Sequence, residues 1–475
     1  MTKTRDLADL GGGFIQAGTG AVQRTVESKL QDVVSVKDFG AVGDGVADDT
    51  AAFNAMFATG SKSFQLIPGQ QYRIGNVALP AGSNWVVDGN GATIIPKAGA
   101  TACFAQTYTT QIFNTAIRNL NILGNVIDVI KLTLTGNGVL VDCKISGITA
   151  TSGTCTTLVT INSSASGQGE GLKVKDITIL GASYDYVVYL YGGSSNFGSC
   201  EFKNIFHNGG TGVATIYAGD GLFLSLFDLV YHTRGSGIKA PASKEFVHCK
   251  FMRMETEAVE TGTILYDGAF TNCSFDVSTI YNQLVGSAPY NHTIANGIFK
   301  QCFFNNNFVF QTSGTTMTFA VGSTRNTVVD LQIGSADYVR YDAVADSGTF
   351  NNFIGEQYVA PMTACTGAIT SGATYTLIKN GRVVTLDLDP VSGTSTSLAS
   401  FTFGAVIPAK YRPTSVDASI SAVIIDAGGL PNLPGTVTVD TSGVITVYKS
   451  GNRSDTFTGG TTSGLAQSVT MTWIL

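Results

Sequence analysis

FGSCEF at 197–202, FVHCKF at 246–251, FTNCSF at 270–275 and FKQCFF at 299–304 repeat one phrase: an aromatic, two residues, a cysteine, one residue, another aromatic. The leading Phe197, Phe246, Phe270 and Phe299 lie 49, 24 and 29 residues apart, and a weaker copy, FLSLFD at 223–228, divides the widest gap into 26 and 23. With aliphatics allowed, the phrase extends to Ile117/Leu120/Ile122, Leu140/Cys143/Ile145, Val174/Ile177/Ile179, Val328/Leu331/Ile333 and Phe350/Phe353. Apolar residues alternating with polar ones make a half-buried strand, and a fixed period of this length makes a solenoid. Spacers rich in Gly, Asn, Ser and Thr make turns rather than helices. The pattern predicts an all-β chain built on a right-handed parallel β-helix, each coil about 4.8 Å above the last. A β-sandwich whose strands resemble one another by chance is the alternative.

Composition agrees with this class. The chain of 475 residues carries 56 glycines and only 13% charged residues, against 44% hydrophobic, which suits strands joined by tight turns. No run of eighteen apolar residues occurs, so membrane insertion is not expected. A net charge of −6 and a pI near 5.3 leave no basic stripe for phosphates, which counts against nucleic acid as a partner. The opening MTKTRDLADL lacks the apolar core of a signal peptide, so synthesis and folding in a cytoplasm are expected. Cys143, Cys200, Cys249, Cys273 and Cys302 share the inward position of the repeat, where a thiol acts as a small hydrophobe. Their spacing has no metal-type pairing, which predicts a stack of reduced, buried thiols and no metal site.

Residues 1–33 hold a Gly-rich break, GGGF at 11–14, and a short amphipathic stretch with Val26, Leu30 and Val33. Too short for a core of its own, this segment reads as a tether or docking arm. VSVKDFGAVGDGVADDTAAFNAMFA at 34–58 follows, and with the next strands forms a segment ending near 105. Gly40, Gly43 and Gly45 suit tight turns, and Asp48, Asp49 and Thr50 open a helix that buries Phe53, Met56 and Phe57. Such a helix closes the open end of a solenoid. Asp44, Asp48 and Asp49 lack the spacing of a calcium loop and read as turn and cap residues. Coils fill 106–360. From 361 to 475 the texture becomes clean alternation, as in YTLIKNGRVVTLDLD and GTVTVDTSGVITVYKS, which predicts hairpins of an antiparallel β-sandwich.

VKDFGAVGDGVADDTAAF, with IPGQQYRIG at 67–75 and VVDGNGATI at 86–94, resembles the start of the pectate-lyase-like β-helix superfamily in the form found in bacteriophage tailspikes. The preceding AVQRTVESKLQDVVS is similar to the segment that leads into those β-helices. The resemblance covers about the first 95 residues. It implies a homotrimeric virion tail component, made in the host bacterial cytoplasm. Such a component is joined to a tail or baseplate protein through its N-terminus and engages a bacterial surface polysaccharide. The C-terminal sandwich resembles tail-fibre domains that trimerise or bind sugar. The resemblance does not fix the chemistry, because the superfamily holds hydrolases, lyases, esterases and inactive binders. No cofactor is implied.

Catalysis on a polysaccharide needs two carboxylates for hydrolysis, or a base and a positive group for elimination. Counting from the apolar residue three after each leading Phe, position +6 reads Phe206, His232, Glu255, Thr279 and Phe308, and position +8 reads Asn208, Arg234, Glu257, Tyr281 and Phe310. This alignment sets His232 beside Glu255 and Arg234 beside Glu257, near Arg253, Glu260 and Asp267. Glu255 and Glu257, two apart on a strand, sit about 6.5–7 Å apart, near the lower bound for an inverting pair. The competing reading is a solvated ladder of surface ion pairs. Asp228 takes an inward position, so that coil either shifts register and turns Phe227 or Leu229 inward or carries a site carboxylate. Tyr184 and Tyr186, in YDYVVYLYGG, with Asn208 and Tyr281, are the candidate sugar contacts, with plain strand packing as the alternative. A deacetylase is disfavoured by the absence of a GxSxG elbow beside the four histidines. Polysaccharide depolymerase, with hydrolysis ahead of elimination, and a non-catalytic receptor-binding fibre are therefore the two functional expectations.

Overall fold

The computed structural model describes residues 13–475 apart from 15–16, 26–27, 30–31, 164–167, 192–196, 209–212, 220, 242, 259–262, 283–292, 306, 311–316, 330–331, 336–337, 340–343, 350, 355, 360–362, 370, 381, 404–406, 416 and 429–432. Half of the amphipathic stretch expected around 26–33, Val26 and Leu30 included, therefore lies outside the described residues. The chain divides into two compact units, Met1–Ile298 and Phe299–Leu475.

In the first unit the GDGVADD turn works as its residue types dictate. Val36–Phe39 forms a single 3-10 turn, capped by reciprocal bonds between Ser35 and Asp38, and left-handed Gly40 ends it. The Asp49 carboxylate accepts from the Val42 amide at 2.6 Å and the Gly43 amide at 3.2 Å. Asp44 accepts from the Val46 and Ala47 amides, and Asp48 from the amide of Thr50. These acids are turn-makers, as expected, although Asp49 folds back on the turn instead of capping the helix ahead. Helix α1 (Thr50–Ala58) buries Phe53, Met56 and Phe57. Phe53 packs edge-on against Tyr72 at 5.4 Å and Phe57 against Phe64 at 5.0 Å, which closes the apolar end of the first coils.

Successive coils then contribute β1 (Ala116–Leu123) and β2 (Val126–Leu134), β3 (Lys144–Ser152) and β4 (Thr154–Ser163), β5 (Lys173–Leu180) and β6 (Ser183–Tyr191). They continue with β7 (Glu201–Asn208) and β8 (Ala214–Ala218), then β9 (Leu226–His232) and β10 (Ser236–Lys239). The last of this series are β11 (Lys250–Met252), β12 (Glu255–Ala258) and β13 (Ile264–Thr271). The first strand of each coil stacks in parallel on the first of the next, forming sheet one. The second strands form sheet two. This is the parallel β-helix that the repeat predicts.

The repeated phrase is a corner. Phe197, Leu222, Phe246 and Phe270 pair rung to rung on one side of it, and Phe202, Phe227, Phe251 and Phe275 on the other. Between them Ser199, Leu224, His248 and Asn272 hold left-handed backbone, with φ from 49° to 55°. The inner rings stack face to face: Phe202–Phe227 at 4.9 Å, Phe227–Phe251 at 4.5 Å and Phe251–Phe275 at 4.9 Å. Each fully buried ring contributes about 1.5–3 kcal/mol from area alone. All eight cysteines are free and buried, as the thiol stack requires. Cys200 N–H donates to Ser225 Oγ, so Ser225, and not Leu226, occupies the cysteine position of its coil.

The second unit contains parallel rungs at Phe303–Asn305, Thr327–Val329 and Asn352–Ile354. From Glu356 onward its strands are antiparallel. One sheet of four holds Glu356–Val359, Tyr375–Asn380, Val383–Leu388 and Val469–Ile474, and a second of eight faces a shared core with Phe401, Tyr411, Ile445 and Trp473. Asn380 pairs with Val383 across the KNG turn, and Val439 with Ile445 across the TSG turn, the hairpins expected from those sequences.

Candidate functional site

One coil departs from the sequence alignment, and the departure reshapes the site. Phe227 faces inward with Phe202 and Phe251, so Asp228 is not in the core column; this is the register shift weighed above. The one-residue slip moves every side chain of that coil relative to its neighbours. Tyr231, not His232, pairs with Glu255, and His232 pairs with Thr256. His232 is wholly buried, one rung above His207 in an inward column, and cannot face a ligand. Arg234 lies past the end of that ladder, exposed in the turn to β10. The proposed pairs His232–Glu255 and Arg234–Glu257 are therefore corrected.

What the true register assembles is an outward column on sheet one: Thr178, Phe206, Tyr231, Glu255 and Thr279. Phe206 and Tyr231 stack face to face with centroids 4.3 Å apart and planes 5° from parallel, an aromatic shelf two rungs long whose rings cover each other's facing sides. The next rung carries Glu255, with Glu257 two residues along on the same face; the Tyr231 hydroxyl donates to Glu257 Oε2. Burial first, and then this hydrogen bond and the neighbouring carboxylates, push the Tyr231 hydroxyl well above the usual phenol range. It stays protonated, a fixed donor holding the Glu257 carboxylate.

A groove of about 530 Å³ runs over this shelf, lined by Asp176, Thr178, Asn204, Phe206, Leu229, Tyr231 and Glu255. Its other wall is a second left-handed corner, which passes through Asn119, Gly147, Asp176, Asn204, Leu229, Arg253 and Val277. Lower coils fill it with residues at ease there, and Asn204 donates to Asp176 at 2.8 Å. At the groove Leu229 (φ 57°), Arg253 (φ 49°) and Val277 (φ 54°) take its place, at a cost of order 1–2 kcal/mol each. Leu229 provides an apolar wall. Arg253 grips Asp228 with two bonds of 2.7 and 2.6 Å, and Lys203 approaches the same carboxylate at 3.6 Å. Asp228 is thus the buried anchor of an ion-pair cluster behind the groove.

The remaining candidates scatter. Tyr184 is fully buried in the core and is corrected from sugar contact to packing. Tyr186 is half-buried on sheet two, as is Asp267, which bonds Lys239 at 3.1 Å. Asn208 is exposed at the end of β7. Tyr281 pairs by backbone with Glu257; its side chain, like Glu260, lies outside the described residues. Among the described residues no group of three or more His, Cys, Asp or Glu is placed to hold a metal ion, and no helix is long and apolar enough to cross a membrane. The alignment by leading Phe misses Tyr231, Leu229 and Asn204 as groove residues. Counting four residues from the second aromatic of each phrase (Phe202, Phe227, Phe251, Phe275) gives Phe206, Tyr231, Glu255 and Thr279 directly.

No family model matches the chain. A 43-residue stretch is 51% identical to the tail spike protein of an Escherichia phage, spanning 9% of this chain and 5% of that protein. Among solved structures, the Dettilon tailspike protein aligns at 12% identity over 95% of both chains, with a TM-score of 0.37. A tailspike variant of E. coli bacteriophage HK620 in complex with pentasaccharide aligns at 12% identity over 98% of both, TM-score 0.40. The Streptococcus pneumoniae surface protein and adhesin PfbA aligns at 13% identity over 68% of this chain and 100% of its own, TM-score 0.37. Scores this low leave the groove to be judged on its own geometry. The chain is a parallel β-solenoid carrying a short stretch homologous to a phage tail spike protein.

Proposed function

We propose that the chain is a phage tailspike whose sheet-one groove binds a bacterial surface polysaccharide and hydrolyses it. The observation that carries this reading is the Phe206–Tyr231 shelf ending on Glu255 and Glu257. The aromatic pair gives the groove an apolar lining against which a sugar ring packs, and the carboxylates then lie where the next glycosidic bond would fall. The strand rise sets the two about 6.5–7 Å apart, which suits an inverting pair with room for a water. Glu257, oriented by the hydrogen bond from the Tyr231 hydroxyl, is the base that activates the water. Glu255, on the groove floor, is the acid that protonates the leaving oxygen. Elimination would call for a cation facing the base, and among the described residues Arg253 and Lys203 are turned to Asp228 and Lys175 to Glu201. The 43-residue likeness to a tail spike protein supports the wider assignment to a virion tail; a homotrimer joined to the tail through residues 1–33, with 361–475 as a trimerising or sugar-binding domain, is proposed with it.

Glu255→Gln and Glu257→Gln test the chemistry. Each is nearly isosteric and half-exposed, so the fold should persist while cleavage of the host polysaccharide falls by about 100-fold or more. Full activity in both variants rejects the pair. A wild-type chain that binds the polysaccharide and never shortens it is a receptor-binding fibre instead.

A further inference from the structure

Sheet two carries its own aromatic surface, on a face separate from the groove. Tyr189 and Tyr217 are rung neighbours with rings 5.0 Å apart. Tyr186 lies 4.5 Å from Tyr189 and 5.7 Å from Tyr217, and Tyr191 lies 4.7 Å from Tyr189. All four are half-buried. The outward column through them reads Lys131, Thr160, Tyr189, Tyr217, Lys239, Asp267 in unbroken rung order. Each lysine is paired with a carboxylate, Lys239 with Asp267 at 3.1 Å and Lys131 with Asp128 at 3.5 Å. Four rungs at the β-sheet spacing put the two lysines about 19 Å apart.

We propose that this strip is a second saccharide-binding site, which holds a run of several sugar rings along the solenoid axis without cutting it. Two features select a sugar chain over a protein partner. The rings form a narrow ribbon one or two side chains wide, matched to the apolar face of a pyranose rather than to the broad apolar centre of a protein interface. At the upper end Lys239 stands beside half-buried Asp267, a donor and an acceptor side by side, which is the arrangement a vicinal diol satisfies with both of its hydroxyls, while at the lower end Lys131 offers the donor and Asp128 is buried against Thr160. Asp128 and Asp267 stand several rungs apart, far beyond the reach of a glycosidase pair, so the strip retains glycan while the groove acts on it. This inference rests on the reading of the chain as a polysaccharide binder, but uses none of the groove's residues.

The test titrates full-length wild type, Tyr231→Ala and Tyr189→Ala/Tyr217→Ala with oligosaccharides prepared from bacterial capsules and O-antigens. These are first chosen by array, then measured by calorimetry at a temperature that halts turnover. The expected result is two sites per chain in the wild type and one in each variant, with loss of the strip rings weakening the long glycan by about ten-fold or more. A single wild-type site abolished by Tyr231→Ala alone overturns the strip and leaves the groove standing. A single site abolished by Tyr189→Ala/Tyr217→Ala alone rejects the groove and leaves the strip. Binding to none of the glycans overturns the strip, as does a fall in the mass of the assembly for the strip variant in light scattering, which would mark the strip as a subunit interface. Should the double variant misfold, Tyr189→Ala alone removes the central ring.

Discussion

Replacing Tyr231 by Phe removes one oxygen and leaves the ring that stacks on Phe206, so it isolates what the hydroxyl does for Glu257. A hydrogen bond to a charged group contributes about 1.5–3 kcal/mol when buried. This one is half-buried and partly screened by solvent, which brings the expected loss in Tyr231→Phe at pH 7 to about 1 kcal/mol. The sign of the pH dependence follows from the raised phenol. Folded Tyr231 keeps its proton where the unfolded chain begins to lose it, so its contribution is complete below about pH 10. It is lost as pH rises toward the folded value. The gap between wild type and variant should therefore close between pH 10 and pH 11, by about 0.5–1 kcal/mol after allowance for screening. Two measurements check this. Denaturant midpoints at neutral and alkaline pH give the gap, and the tyrosinate absorbance of wild type minus variant isolates one phenol among the 17 tyrosines. That phenol should titrate above the ordinary range, and should move down again in Glu257→Gln, because the carboxylate is among the causes of its shift. A difference spectrum centred on the ordinary value, or a gap constant from pH 7 to pH 11, refutes the Tyr231–Glu257 contact and with it the assignment of Glu257 as base.

Two further outcomes follow from the same frame. Phe251→Ala removes a buried ring stacked on both Phe227 and Phe275, and should cost about 3–5 kcal/mol; a loss under about 1 kcal/mol in the unfolding midpoint would contradict the inner ladder. Cys143, Cys200, Cys249, Cys273 and Cys302, at 4% exposure or less, should resist a bulky thiol reagent in the native state and react on unfolding, and rapid native labelling at all five would refute the coil register.

The β-helix was legible because its cause is local and repeated. A corner that turns inward at both flanks needs an apolar residue on each side and a small one between, and Phe197, Cys200 and Phe202 state that need in six residues. The inward cysteines, the turn acids of GDGVADD and the antiparallel strands after 361 were legible for similar reasons: each depends on neighbours a few residues away. The groove was half legible. Glu255 and Glu257 stand out in a chain poor in charge, but a column across coils joins residues some 24 apart, and there a spacer of one residue more or less exchanges inside for outside.

Residues 223–228 show how that exchange escapes a pattern search. FLSLFD offers Phe223 and Leu226 to an eye looking for an aromatic and an apolar three later, while the fold uses Leu222, Ser225 and Phe227. The choice is energetic. Turning Phe227 inward gains stacking on Phe202 and Phe251 and sends Asp228 outward to Arg253 and Lys203. The alternative register would bury Asp228 without those partners, at a cost of several kcal/mol. The same slip carries His232 into the core and brings Tyr231 out onto Phe206. Thus the carboxylate that looked like a catalytic anomaly sets the register of its coil, and the aromatic shelf beside Glu255 exists because Asp228 cannot go inside.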